Sequence, residues 1–158
     1  MIKLFVSDVD GVLTDGGMYY TESGDEFKRF NTLDGMGFEL LRNSNIKTAI
    51  ITSESTRIVE NRAKKMKVDY LKQGCFGIGK LDAVKEICRI ENIELKQVAY
   101  IGDDINCIEL LTSVGYKSCP SNANYRVKNV PGIRILEGSG GSGVVREWID
   151  LLFFDKMI

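Results

Sequence analysis

The sequence predicts an α/β fold, a doubly wound parallel sheet of Rossmann-like type, in one domain spanning residues 1–158. Three observations carry that expectation. Short β-prone runs alternate with amphipathic helical ones, the pattern of a parallel sheet covered on both faces. The central strand-like runs end in oxygen-bearing residues, where open α/β sheets bind their ligands. The chain has 158 residues, 44% hydrophobic and 27% charged, which suits a single domain with an ample core.

The elements follow in order. Lys3–Ser7 is an apolar strand that runs into Asp8-Val9-Asp10-Gly11. Residues 17–31 then break the alternation. Met18-Tyr19-Tyr20-Thr21 and Glu26-Phe27-Lys28-Arg29-Phe30 flank Glu22-Ser23-Gly24-Asp25. β-prone residues around a glycine-bearing turn predict a hairpin. Inserted after the first strand, it would stand over the strand ends as a flap. Two strands alone are marginal in water, so its aromatic residues are expected to be covered by partner subunits. Helices are expected over 35–43, 56–67 and 105–113, with Asp34, Ser55 and Asp104 before them as caps. Further helices are expected over 80–91, 122–128 and 143–154. Strands are expected at Lys47–Thr52, Val98–Gly102, Tyr116–Ser118 and Ile133–Leu136. No repeat, linker or separate cap domain is visible.

Composition removes several functions. The net charge is -1 and the basic residues are scattered, so no nucleic-acid footprint is present. No run approaches the ~18 apolar residues of a membrane span. Entry into a strand at Lys3 leaves no room for a signal peptide, and Cys75, Cys88, Cys107 and Cys119 have no Cys-x-x-Cys spacing. Reduced thiols in a cytoplasmic protein are expected. Histidine is absent, which excludes a Ser-His-Asp or Cys-His device and any His-based metal site.

What remains is oxygen and lysine chemistry. Asp8 and Asp10 are two apart, so on an extended chain they face one spot. Thr52-Ser53 end the second strand and Gly102-Asp103-Asp104 another. Lys80 follows the glycine-rich 74–79. A phosphoryl group needs a cation, a hydroxyl and amides around its oxygens, and Mg²⁺ accepts two carboxylates plus phosphate and water. Asp8 is the expected nucleophile and Asp10 the proton donor and acceptor. Thr52 and Lys80 are expected to hold phosphate oxygens.

This ordered set resembles the haloacid dehalogenase superfamily of phosphatases, in its minimal, capless branch. Asp8 and Asp10 match its first motif, Thr52 its second, Lys80 its third and Gly102-Asp103-Asp104 its fourth. Within it, the chain is similar to the phosphatases of 3-deoxy-D-manno-octulosonate 8-phosphate and of 2-keto-3-deoxynononate 9-phosphate. Supporting stretches are 8–16, Phe30-Asn-Thr-Leu-Asp-Gly35, 98–104 and 140–147. The resemblance implies Mg²⁺ held by Asp8, the Asp10 carbonyl and Asp103, with Asp104 beside them. It implies a substrate site lined by Asn31, Thr32, Leu33, Asp34, Gly35, Arg62 and Lys80. It also implies a homotetramer whose hairpins form a central barrel, and a role in cell-envelope sugar-acid synthesis.

Departures from the pattern are informative. Glu39 and Glu54 stand where the octulosonate phosphatases carry arginines, and Glu54 with Lys65 matches the nine-carbon group better. A nonulosonate 9-phosphate is therefore the first expectation and octulosonate 8-phosphate the second. Cys107 stands where relatives carry an acid, which keeps open a weakly active assembly module. The loop 74–79 is longer than usual. The glycines of 138–143 are expected to form a mobile loop near the site, not a dinucleotide fingerprint, because no βαβ unit follows. A phosphoacceptor receiver domain is disfavoured by chain order, since its aspartate follows a middle strand and its lysine comes last.

Overall fold

Leu4-Phe5-Val6-Ser7 is wholly buried and becomes a central strand of a six-stranded sheet. The computed structural model describes residues 1–158. In chain order it contains β1 (Leu4–Ser7), a ribbon of β2 (Tyr19–Tyr20) and β3 (Glu26–Phe27), α1 (Thr32–Asn43) and β4 (Lys47–Ile51). There follow α2 (Arg57–Met66), β5 (Tyr70–Lys72), α3 (Ile78–Glu91), β6 (Val98–Ile101) and α4 (Ile108–Ser113). The chain ends with β7 (Tyr116–Cys119), α5 (Tyr125–Lys128), β8 (Arg134–Ile135) and α6 (Val144–Phe154).

The sheet order is β5-β4-β1-β6-β7-β8, and every pairing is parallel. The chain moves one way from β1 to β4 and β5, then crosses to β6 on the other side. β1 is thus a topological switch point, the place where such sheets open a crevice. Its register aligns Ser7 with Ile50 of β4 and Ile101 of β6. The next residues of all three strands therefore emerge side by side.

Alternation along β1 sorts the core into two layers. Phe5 joins Phe38, Leu41, Val59, Ala63 and Trp148 beneath α1, α2 and α6. Leu4 and Val6 join Leu81, Val84, Ile87, Leu110, Leu111 and Val127 beneath α3, α4 and α5. Phe5 meets Phe38 edge-on at 6.0 Å and Trp148 at 5.2 Å between ring centroids. Truncating such a ring costs about 3–5 kcal/mol, so this contact fixes α1 and α6 to the strand that carries the site.

Several expectations shift. Tyr70–Lys72 is a strand that the sequence pattern did not reveal: three half-buried residues on a sheet edge carry too little apolar signal. Asn31, not Asp34, caps α1, its side chain accepting from Leu33 N at 2.9 Å. Thr56, not Ser55, caps α2. Asp104 does cap its segment, first a single 3₁₀ turn at Ile105–Cys107 and then α4. The glycine-rich 138–143 is no loose loop. Gly140 and Gly141 are buried, and Gly141 N donates to Val12 O at 2.9 Å. A Cβ on Gly140 would lie 2.0 Å from Gly11 O, so only glycine permits that approach.

The hairpin is present but thin, with two residues per strand. Met18, Tyr19, Tyr20 and Phe27 stay exposed, Phe27 at 57%. No element of the same chain covers them. The four cysteines are free, as expected. No helix is long and apolar enough to cross a membrane.

Candidate active site

The ends of β1, β4 and β6 open onto a cleft of ≈ 290 Å³ with no hydrophobic lining. Asp8, Asp10, Thr52, Lys80, Asp103 and Asp104 all line it, with Gly11, Gly16, Ser53, Glu54 and Asn106. All six residues taken as catalytic or metal-associated therefore meet at one place.

Each side chain is held by the fold. Asp8 Oδ1 accepts from Val9 N at 2.8 Å, and Oδ2 accepts from Lys80 Nζ. Lys80 projects from the first turn of α3 and is wholly buried. Burial alone would lower its pKa; the Asp8 charge and Cys107 more than offset this and hold it above its ordinary value. Thr52 is buried just past β4. Gly11 has φ +82 and passes beneath Asp103, whose Oδ2 would lie 1.9 Å from a Cβ there. Only a glycine leaves room for that carboxylate.

Five carboxylates and one lysine line the cleft. Burial, then the charges of Asp8 and Asp104, push Asp103 up to about 7, with Lys80 partly opposing. Ligand atoms of Asp8, Asp103 and Cys107 lie within 4.8 Å of one another. Burial and the Asp8 charge push the Cys107 thiol up to about 12, so it stays protonated and donates to Asp8 Oδ2 at 3.0 Å. The charged donors are then oxygens only. Two crowded carboxylates with oxygen donors suit a hard divalent cation, and the residues present fit one.

Other expected residues lie elsewhere. Asn31, Thr32, Leu33, Asp34 and Gly35 are not in the cleft lining. They form the N-cap and first turn of α1, beside Arg62. Arg62 Nη2 donates to Asn31 O at 2.8 Å, and its guanidinium lies 5.4 Å from the Phe30 ring centroid. Asp34 is wholly buried, and its Oδ1 accepts from Arg146 N at the start of α6 at 3.0 Å. Through that oxygen it ties α1 to α6, while its Oδ2 is buried without a hydrogen-bond partner. Burial raises its pKa to about 6, against the opposing Arg146 hydrogen bond and Arg62 charge. Lys65 is exposed on α2 and lies outside the lining within this chain. Glu39 is likewise exposed and outside.

Comparison with known proteins shows the family. Residues 75–135 match the model of a family described as haloacid dehalogenase-like hydrolase. The 3-deoxy-D-manno-octulosonate 8-phosphate phosphatase of Yersinia pestis is 36% identical over 159 residues, 99% of this chain and 83% of that protein. The chain belongs to the haloacid dehalogenase-like hydrolases. It is a phosphatase of that family. The 3-deoxy-D-manno-octulosonate 8-phosphate phosphatase of Moraxella catarrhalis, solved in complex with magnesium, phosphate and a KDO molecule, superposes on it with a TM-score of 0.91. That pair is 36% identical and covers 99% of this chain and 91% of the other. The cobalt-bound enzyme of Haemophilus influenzae gives a TM-score of 0.91 at 29% identity, covering 99% and 90%.

Two residues of this hydrolase escaped the sequence reading. Asn106 lines the cleft and donates to Ser53 Oγ at 2.9 Å. Its signal was its position three residues after Asp103. Lys28 reaches from the hairpin to Asp10 Oδ1 at 2.8 Å and Glu54 Oε2 at 3.1 Å. Glu26 lies 3.4 Å from the same ammonium. Burial would lower the Lys28 pKa, but its bonds to Asp10 and Glu54 raise it. A lysine within a charged hairpin gives no sequence sign of such reach.

Proposed function

We propose that the chain is a Mg²⁺-dependent phosphomonoester hydrolase acting on a phosphorylated keto-deoxy sugar acid, a nonulosonate 9-phosphate first and octulosonate 8-phosphate second. The convergence of Asp8, Asp10, Thr52, Lys80 and Asp103 on one polar cleft carries the reaction class. Glu54 in that lining, where the octulosonate enzymes are expected to have arginine, favours the longer substrate. A carboxylate accepts hydrogen bonds from extra sugar hydroxyls but cannot pair with a substrate carboxylate.

The steps use this chain's own groups. Asp8 attacks phosphorus, and the bond from phosphorus to the sugar oxygen breaks. Asp10 gives its proton to that oxygen. Lys80 and the Thr52 hydroxyl hold the phosphoryl oxygens as negative charge shifts across them. Water then attacks the aspartyl-phosphate, passes a proton to Asp10, and releases inorganic phosphate with Asp8 restored. Asp8, the Asp10 carbonyl and Asp103 would hold Mg²⁺, which when bound would neutralise phosphate charge.

The exposed Tyr19, Tyr20 and Phe27 support a homotetramer joined through the hairpins. Arg62 and Lys65, which do not line the cleft of their own chain, are candidates to serve a neighbour's. A panel of eight- and nine-carbon keto-deoxy acid phosphates, assayed with Mg²⁺, tests the reading. Wild type should prefer the nine-carbon ester, and Glu54→Arg should move the preference toward the eight-carbon one. A wild-type preference for the eight-carbon ester makes octulosonate the substrate. No release from either refutes the class.

A further inference from the structure

We infer that Lys28 is a positioning residue that fastens the hairpin to the core and orients the general acid Asp10. This rests on the reaction proposed above, in which Asp10 protonates the sugar oxygen.

The geometry is specific. Lys28 is not in the cleft lining, yet its side chain is 2% exposed. It touches no reacting atom and acts through the two carboxylates it bonds. Its ammonium holds Asp10 by Oδ1 alone, at 2.8 Å. Thr14 Oγ1 donates to the same oxygen at 3.3 Å. Two donors on Oδ1 leave Oδ2 as the oxygen free to carry the proton. Glu54 is likewise gripped by Oε2, which leaves Oε1 for the substrate. One ammonium thus selects the working oxygen on the acid and on the residue expected to read the sugar.

The same contact fixes the flap. Lys28 follows β3 directly, and the hairpin's own ladder has two residue pairs. Most of its other polar contacts are local, among Thr21, Ser23 and Asp25. Tyr19 and Arg29 reach only Asp15, at the foot of the hairpin. Lys28 to Glu54 is its contact with the end of β4, and it spans 26 residues of sequence. Burial of an ammonium among three carboxylates removes it from competition with water, so its loss leaves them mutually repelling.

The role separates from plain folding by leaving group. An alkyl phosphate needs the acid, because a sugar alkoxide leaves poorly. p-Nitrophenyl phosphate does not, because its phenolate leaves unaided. In Lys28→Met, kcat on the sugar-acid phosphate should fall on the order of 100-fold, the scale of general acid catalysis, and on p-nitrophenyl phosphate less than about 3-fold. Lys28→Arg should recover most of the loss. Hydrogen exchange of hairpin amides 18–30 in the full-length protein should quicken at least about 10-fold in Lys28→Met. Equal losses on the two esters, or a gain in kcat, overturn the orienting role. Unchanged hairpin exchange overturns the tether. If wild type hydrolyses no ester at all, the proposed reaction fails instead, and hairpin exchange alone still decides whether Lys28 is a fastening.

Discussion

The cleft and the hairpin are built on opposite terms. At the cleft, Asp8 and Lys80 are buried side by side, and every acid sits on a central strand end or just beyond it. On the hairpin, two-residue strands display aromatic rings to the outside. The first region is over-determined by one chain's packing. The second has little of its own to hold it. The contrast teaches that the acids, hydroxyl and lysine of this phosphatase's cleft are held together by one chain's packing, whereas the same chain gives its flap few contacts.

Substitutions can break or sharpen that contrast. Asp8→Asn should remove turnover on the order of 10⁵-fold, as loss of a nucleophile does, while far-ultraviolet circular dichroism stays native. Retained turnover would mean that the cleft is not where the reaction occurs. Gly11→Ala comes next. Its methyl would meet Asp103 Oδ2 at 1.9 Å on a backbone with φ +82. Displacing that ligand should weaken Mg²⁺ activation by about 10–100-fold, read from the Mg²⁺ concentration dependence of the rate.

Asp34→Asn probes the support beneath the site. The wild-type carboxyl rises from 3.8 to about 6 on folding. A raised acid binds more protons folded than unfolded, so its contribution to stability falls as pH rises from about 4 to 6 and is flat above. A rise of that size sets a ceiling of about 3 kcal/mol. Denaturant melts at pH 4 and 7 should show wild type losing stability relative to Asn across that window. A constant difference would mean that Asp34 is not desolvated. Last, Tyr20→Glu and Phe27→Glu should change the stability of the isolated chain by no more than about 0.5 kcal/mol. Sedimentation should nevertheless shift from tetramer to smaller species. Persistence of the tetramer would move the joining surface elsewhere.

The strand ends were legible because chemistry and periodicity coincide there. Asp8, Asp10, Thr52 and Asp103 each follow an apolar run, and parallel register does the rest. The hairpin was legible from its turn chemistry. Asn31–Gly35 show where spacing stops short, because a helix N-terminus and a ligand site use the same polar residues. Asn31 caps, and Asp34 turns inward to Arg146 N, a partner 112 residues away that no local pattern encodes. Lys28 was invisible for the same reason: its value lies in reach, not in spacing. Cys107 was noticed only as a missing acid. Its burial converts it to a neutral donor onto Asp8, a role that sequence alone does not distinguish from a defect.

Gly140 and Gly141 lie against the backbone of residues 11–15, with Gly141 N bonded to Val12 O. The turn that carries Asp10 therefore receives its final brace from a segment synthesised some 130 residues later. A nascent chain halted before that segment emerges already contains Asp8, Asp10, Thr52, Lys80 and Asp103, yet lacks the wedge that shapes the turn between the first two and the rest. A chain cut back to residue 137 keeps all five of those side chains but loses this brace together with α6, whose Val144, Trp148 and Ile149 pack in the core beneath β1, and should be inert.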